Sequence, residues 1–84
     1  MWHLAFTRRA EKDFFRLEKE AARRIVAKLE KSLENPKHHF SQVKGTGYHK
    51  LRAGDYRALV LLDQSKEIID VRRVGHRRNI YKNL

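Results

Sequence analysis

The sequence contains no cysteine among its 84 residues. A disulfide bridge, an iron–sulfur cluster and a zinc site with thiolate ligands are therefore excluded. No apolar run approaches the roughly 18–20 residues that a membrane-spanning helix needs. The start Met1-Trp2-His3-Leu4 lacks the basic region and the long apolar stretch of a signal peptide. We therefore expect a cytoplasmic protein that does not enter a membrane.

Acidic residues are scarce: 10 Asp and Glu stand against 20 Lys and Arg, which gives a net charge of +10. Residues 1–43 hold 10 basic against 6 acidic residues, a net of +4, and residues 44–84 hold 10 against 4, a net of +6. No acid follows Asp70. Such an excess of positive charge raises the local concentration of polyanions and speeds encounter with them. The composition indicates nucleic acid as the first partner to consider.

The first half of the chain predicts a strand followed by two helices. Alternating apolar residues over 2–6 are typical of a short strand, and Thr7 can cap the next helix by accepting hydrogen bonds from its first turn. The second helix should end at Asn35, because the residue before Pro36 is disfavoured in the helical conformation. We expect the two helices to form an antiparallel hairpin. Their apolar stripes are Ala10, Phe14 and Leu17 in the first, and Ala22, Ile25, Val26, Leu29 and Leu33 in the second.

The second half predicts three consecutive strands over residues 48–53, 56–63 and 67–74. Residues 37–46 show no sustained period, and we interpret them as a loop. The order β-α-α-β-β-β, without a repeat or a linker, predicts one domain over residues 1–84. Its fold class is α+β, with the two-helix hairpin packed on one face of a mostly antiparallel four-stranded sheet.

The turn between the first two of these strands decides which side chains face each other. Gly54-Asp55 is a two-residue hairpin signal, because glycine supplies the positive φ that such a turn requires. If Ala53 and Tyr56 flank the turn, Arg52 and Arg57 lie opposite each other on one face. Like charges opposed across a ladder destabilise it by roughly a few tenths of a kcal/mol. The pair therefore indicates either an anion between the two guanidinium groups or a solvated face of a basic protein.

Two adjacent histidines, His38 and His39, invite a metal-site interpretation, which we reject. Adjacent histidines in a loop rarely point at one ion, and no carboxylate or cysteine stands at ligand spacing from them. We expect neither a metal ion nor another cofactor.

Short motifs spread over almost the whole chain carry a more specific signal. The Gly-Asp-Tyr-Arg and Val-Gly-His-Arg pieces are the most specific, in this order and at this separation. The full set is Phe6-Thr7-x-x-Ala10-x-Lys12-Asp13, Leu17, Asn35-Pro36, Lys44-Gly45, Lys50-Leu51-Arg52-x-Gly54-Asp55-Tyr56-Arg57 and Val74-Gly75-His76-Arg77-x-x-x-Tyr81.

This set resembles the RelE branch of the RelE/ParE toxin superfamily, which comes from bacterial and archaeal type II toxin–antitoxin pairs. The resemblance implies a microbial ribonuclease-like fold and a metal-independent, ribosome-dependent endoribonuclease, or mRNA interferase. Such a toxin enters the ribosomal A site, cuts the bound messenger and stops translation. The implied partners are a cognate acidic antitoxin and messenger RNA on a 70S-type ribosome, with no small-molecule cofactor.

Residue by residue, the resemblance assigns functional roles to Arg57, Arg77, Tyr81 and the strand lysine Lys50. The best-studied type of family member has a second lysine where this chain has Tyr48. The identity of the general base is therefore open between Lys50 and His76. His76 is a candidate because imidazole is well suited to proton transfer near neutral pH. An equally simple interpretation of the histidine is an imidazole hydrogen-bonded at a strand end.

The residues themselves can supply each part of RNA cleavage by a neighbouring 2′-hydroxyl. Arg57 suits the charge of the transition state, because a guanidinium can bind two phosphate oxygens at once. Lys50 can add positive field or take the proton, and Arg77 and His76 can face the leaving group. Tyr81 is expected to stack on a base of the single-stranded codon. The expected RNA-binding residues are Lys44, Arg52, Arg72, Arg73, Arg78 and Lys82.

Two further functions remain open. A ParE-like member would share the fold and inhibit DNA gyrase by binding alone, so the periodicity cannot separate it from a nuclease. The second further function is that of a passive RNA-binding module. A double-stranded RNA-binding domain, however, begins with a helix and ends with a long one, whereas only ten residues follow Val74 here.

Overall fold

The computed structural model describes residues 1–81, which form three helices and five strands. None of the described helices is long and apolar enough to cross a membrane. In chain order the elements are β1 (His3–Phe6), α1 (Arg8–Arg16), α2 (Lys19–Ser32), α3 (Pro36–His39), β2 (Ser41–Gln42), β3 (His49–Ala53), β4 (Tyr56–Asp63) and β5 (Ile68–His76).

The strands form one sheet in the order β1-β5-β4-β3-β2. Its pairs are antiparallel except for β1, which lies parallel to β5 at the sheet's edge. The α+β class and the mostly antiparallel sheet are therefore confirmed, and α1 packs on β5 and β1 while α2 packs on β3 and β4. The predicted number of four strands is wrong by one, because β2 adds a fifth.

The segment 37–46 was predicted as a loop and contains β2 and most of α3. Helix α3 is a single turn that begins at Pro36, whose fixed φ suits the first helical position. Strand β2 pairs only with His49 and Lys50. Elements of four and two residues are too short to produce a hydrophobic period, so neither could be predicted from the pattern. The last strand is also longer than predicted and ends at His76.

The core lies between the sheet and the helices. A β-bulge shapes it: Val60 pairs with Val71 but Leu59 pairs with Arg73, so Arg72 is the extra residue. Because of this insertion, Val71 and Val74 can both face the core although they are three residues apart. The main cluster is Ala10, Ile25, Leu29, Phe40, Leu51, Ala53, Ala58, Val60, Ile69, Val71 and Val74.

Beyond the end of β1, side chains of α1 and its N-cap bond the backbone groups along the edge of β5. Strand β1 pairs with β5 only as far as Val71. The Thr7 hydroxyl, which caps α1 as predicted by accepting from Ala10, also donates to the Arg72 carbonyl at 3.1 Å. The Asp13 carboxylate then accepts from the Val74 amide at 3.2 Å and from Arg73 Nε at 3.1 Å. This carboxylate is 8% exposed and joins the first helix to the last strand.

Replacing Asp13 with alanine should lower the free energy of unfolding by about 1–3 kcal/mol, because the buried Val74 amide loses its acceptor. The matched control is Asp70→Ala, which removes a half-exposed carboxylate 3.1 Å from Arg72 Nη1 and should cost less than about 1 kcal/mol. Urea unfolding of the two variants measures both losses. Equal losses would contradict the structural role of Asp13.

Candidate functional site

The β3–β4 hairpin brings three cations to the sheet face opposite the helices. Leu51 belongs to the core, so its neighbours Lys50 and Arg52 point to the other face, because side chains alternate along a strand. Arg52 pairs directly with Arg57, as the turn predicted. Gly54 adopts φ +62° in that turn, which is the conformation that favours glycine. The predicted opposition of two arginines is confirmed.

Arg57 is buried although it is charged, with 7% of its surface exposed. Its Nη1 donates to the Gly54 carbonyl at 2.7 Å and to the Tyr56 carbonyl at 2.8 Å. These bonds use the two protons of Nη1, and Nε and Nη2 carry three more. The turn therefore fixes the guanidinium while leaving it donors with which to bind an anion.

The segment after β5 folds back toward this hairpin. The Arg77 amide donates to the Asp55 carbonyl at 2.8 Å, and Arg77 Nε lies 3.9 Å from Asp55 Oδ1. Ile80 is 1% exposed, and a Cβ added to Gly75 would lie 3.5 Å from Ile80 Cδ1. Gly75 in turn pairs with Arg57. The C-terminal turn therefore packs beside the residue that pairs with the buried arginine.

The hairpin and the C-terminal turn line an open cleft of about 560 Å³. Five of its lining residues are cations, and the sixth is a tyrosine that is 37% exposed. No acidic side chain lines it within residues 1–81. Positive charge concentrated in a cleft focuses the field on an incoming anion. The lining residues, hereafter the cationic cleft, are Lys50, Arg52, Arg57, Arg77, Arg78 and Tyr81.

His76 is separated from this group. It pairs with Tyr56 across β4 and β5, and the two rings meet edge to face with centroids 5.7 Å apart. Its Nδ1 accepts from the Arg78 amide at 3.1 Å, so the neutral ring carries its proton on Nε2. His76 does not line the cationic cleft. The arrangement matches the interpretation of an imidazole hydrogen-bonded at a strand end.

Three of the other expected RNA-binding residues lie outside the cleft, and Lys82 lies outside the described residues. Arg73 bonds to Asp13 within the fold, and Arg72 lies 3.1 Å from an Asp70 oxygen. Lys44 is exposed in the connection between β2 and β3. The structure therefore brings together Arg52 and Arg78 of this group and leaves Lys44, Arg72 and Arg73 apart.

Sequence reasoning missed Asp55, which holds the C-terminal turn against the hairpin. The available signal was that Asp55 is the only acid between residues 48 and 57. It also missed Ile80, a buried apolar residue that lies outside the main core cluster. Ile80 could have been found as an isolated apolar residue within a cationic run.

The chain matches a family model described as "ParE toxin of type II toxin-antitoxin system, parDE" over residues 4–81. No curated protein matches it. Among solved structures, the toxin–antitoxin complex RelBE2 of Mycobacterium tuberculosis is similar in fold, with a TM-score of 0.80 at 22% identity, covering 89% of this chain and 96% of that one.

Two further solved complexes are similar at higher identity. The intact RelBE toxin–antitoxin complex of E. coli has a TM-score of 0.76 at 26% identity, covering 90% of this chain and 96% of that one. The RelB–RelE antitoxin–toxin complex of Methanococcus jannaschii has a TM-score of 0.72 at 27% identity, covering 92% and 94%. The similarity extends over nearly the full length of each chain.

If the cationic cleft binds phosphates, the affinity for single-stranded RNA should fall with salt, with a log–log slope of about 0.7 per phosphate neutralised. Arg78→Gln should lower this slope by about 0.7. Arg72→Gln is the matched control, because that guanidinium already pairs with Asp70, and it should leave the slope unchanged. Fluorescence anisotropy over a salt series measures both. An unchanged slope in Arg78→Gln would contradict phosphate binding by this residue.

Proposed function

The chain belongs to the ParE toxin family of type II toxin–antitoxin systems, within the RelE/ParE superfamily, and from this premise we propose that it is a ribosome-dependent endoribonuclease. Its substrate is messenger RNA in the ribosomal A site, and the consequence of cleavage is inhibition of translation in the cytoplasm. The single observation that carries the proposal is the cationic cleft, in which a rigidly held arginine, a lysine and a tyrosine line one cavity.

The proposed reaction is an internal transfer at phosphorus. The 2′-hydroxyl oxygen forms a bond to the adjacent phosphorus while the bond from phosphorus to the 5′-oxygen breaks. A base takes the proton of the 2′-hydroxyl, and an acid gives a proton to the leaving oxygen. The products are a 2′,3′-cyclic phosphate and a 5′-hydroxyl. The phosphorane carries extra negative charge, which preorganised cations stabilise.

Arg57 is proposed to bind this phosphorane. Its Nη1 is held by the two turn carbonyls, so little reorganisation is needed when charge develops on the phosphate. Arg77, held near the hairpin by Asp55, is proposed to stabilise the leaving oxygen. Tyr81 is half-exposed at the rim of the same cavity, which suits stacking on an RNA base.

Lys50 is the proposed general base, because its side chain lines the cleft. His76, the other candidate, pairs with Tyr56 and receives a hydrogen bond from the Arg78 amide. An imidazole engaged in this way would have to turn before it could reach a phosphate in the cleft. The geometry therefore favours the lysine.

A second candidate function is inhibition of DNA gyrase by binding alone. It is favoured by the matching family model, whose description is that of a ParE toxin. The two proposals differ in what they require of the cavity. A binding protein needs no group that exchanges protons beside its cations, whereas the cationic cleft contains a lysine and a tyrosine.

Arg57→Ala should lower the rate of messenger cleavage on purified ribosomes by roughly 10²–10³, because one preorganised contact to the transition state is lost. Arg57→Lys should restore only part of the rate, because a point charge cannot replace a planar two-pronged donor. Since this side chain is buried, thermal unfolding of each variant accompanies the assay. Arg72→Ala is the control. Cleavage by folded Arg57→Ala at the parent rate would show that the site is misplaced.

The identity of the base is tested by pH–rate profiles of Lys50→Ala, His76→Ala and Tyr81→Ala. Loss of the base should remove the rising limb of the profile, whereas loss of a stacking group should leave its shape unchanged. The 3′ end of the product should be a 2′,3′-cyclic phosphate. A parent protein that stalls gyrase and leaves ribosome-bound messenger intact would establish the binding function instead.

The proposed protein partner is a small acidic antitoxin. The similar solved complexes pair RelE with RelB. This chain also exposes aromatic rings that a partner can cover, since Phe15 is 91% exposed and Phe6 40%. An extended or helical acidic segment can contact such rings and the surrounding cations together.

Co-expression with the cognate antitoxin should raise the melting temperature and suppress toxicity. Binding to the folded state alone stabilises a protein by about 2.7 kcal/mol when the ligand is at a hundred times its dissociation constant. Calorimetry of the free toxin and of the complex measures the shift. A toxin that is harmless alone and whose melting temperature is unchanged by an acidic neighbouring gene product would contradict this partner.

A further inference from the structure

A second groove, of about 420 Å³, lies beside the cationic cleft along the outer edge of β3. Helices α2 and α3 and strand β2 contribute its other walls. Its ionisable lining residues are all basic in the part of the chain that the structure describes. They are Lys28 and Lys31 from α2, His38 and His39 from α3, and Lys50 and Arg52 from β3.

The fold itself draws the α2 cations toward the hairpin. Strand β2 covers the edge of β3 only as far as Lys50. Lys28 Nζ donates to the carbonyl of Arg52 beyond that point, at 3.0 Å. An ammonium group has three protons, so this bond leaves donors for a ligand. Two lysines of α2 therefore line the same cavity as two cations of β3, and their mutual repulsion is relieved when an anion lies among them.

The exposed lining suits a nucleic-acid backbone better than a protein segment. The two large apolar residues of the groove, Phe40 and Leu51, are 8% and 4% exposed and belong to the core. A docking helix or strand needs open apolar pockets for its anchors. A phosphate backbone needs cations and hydrogen-bond donors, which the lysines and the two imidazoles provide. The exposed aromatic surface at Phe15 belongs to α1 instead.

We propose that this groove binds the phosphate backbone of single-stranded RNA continuous with the strand in the cationic cleft. The proposal rests on the proposed function, because it takes RNA to be the occupant of the cleft. Lys50 and Arg52 line both cavities. A strand that crosses β3 at these residues thus passes from one set of cations to the next, and Lys28 and Lys31 meet two phosphates that flank the cut.

The test compares RNA strands of two lengths with two charge-matched double variants. The probe is 2′-O-methyl RNA, which lacks the attacking hydroxyl, as a trinucleotide or as a strand of about twelve nucleotides, within the usual site sizes for single strands. The test variant is Lys28→Gln/Lys31→Gln, which removes two charges while each new side chain keeps hydrogen-bond donors. The control is Lys12→Gln/Lys66→Gln, which removes the same charge from α1 and from the β4–β5 turn.

For the long strand, the test variant should lower the log–log salt slope by about 1.4, for two lost phosphate contacts. Raising the salt from about 50 to about 200 mM should then weaken its binding about sevenfold less than that of the parent. The control should keep the parental slope. The trinucleotide, which fills only the cleft, should bind both variants equally.

Three results would overturn the proposed role of the groove. Two of them are equal salt slopes for both variants with the long strand, and a loss of affinity for polyglutamate equal to the loss for RNA. The third is a loss of affinity confined to vacant ribosomes, which would identify ribosomal RNA as the ligand. Cleavage of messenger by the parent is scored separately. If the parent does not cut messenger but the test variant loses affinity only for the long strand, the proposed nuclease function is rejected and the proposed RNA-binding groove is retained. If the parent cuts messenger but the test variant shows no such loss of affinity, only the proposed role of the groove is rejected.

Discussion

The buried guanidinium of Arg57 fixes the geometry on which the rest of the cleft depends. A charge removed from water is stable only with hydrogen-bond partners, and the carbonyls of the turn supply them at 2.7 and 2.8 Å. The turn must therefore be tight, which requires Gly54 at φ +62°. Opposite the arginine, Gly75 lies close to Ile80. The packing of this isoleucine in turn holds the last cations of the cleft beside the hairpin.

The few acids of this basic chain divide its cations into two groups. Asp13 pairs with Arg73 where α1 contacts β5. Asp70 pairs with Arg72, the extra residue of the β-bulge. Asp55 lies at the hairpin turn, outside the cleft lining, where its carbonyl accepts a hydrogen bond from the Arg77 amide at 2.8 Å. The cations of the cleft thus face one another without an acid among the described lining residues, and that arrangement leaves them to an external anion.

The sequence predicted the features that local chemistry determines and missed those that depend on distant contacts. The opposition of Arg52 and Arg57 followed from one glycine turn, because a hairpin turn sets the register of its strands. The surroundings of His76 could not be predicted, since they depend on the bulge at Arg72 and on pairing with β4. The place of Lys28 beside the hairpin could not be predicted either. Its contact with β3 joins residues 24 positions apart.

Family membership leaves the chemistry of the cleft open, because one fold can host both a protein that only binds and a nuclease. The two functions differ in proton transfer. Arginine stays protonated in proteins and cannot act as the base, so within the described lining only Lys50 and Tyr81 can exchange a proton. Tyr48, where a second lysine stands in the best-studied type of relative, has its amide bonded to the Thr46 hydroxyl and its carbonyl to the Val43 amide, before β3 begins. In the proposed cleavage the base is therefore a single lysine among arginines.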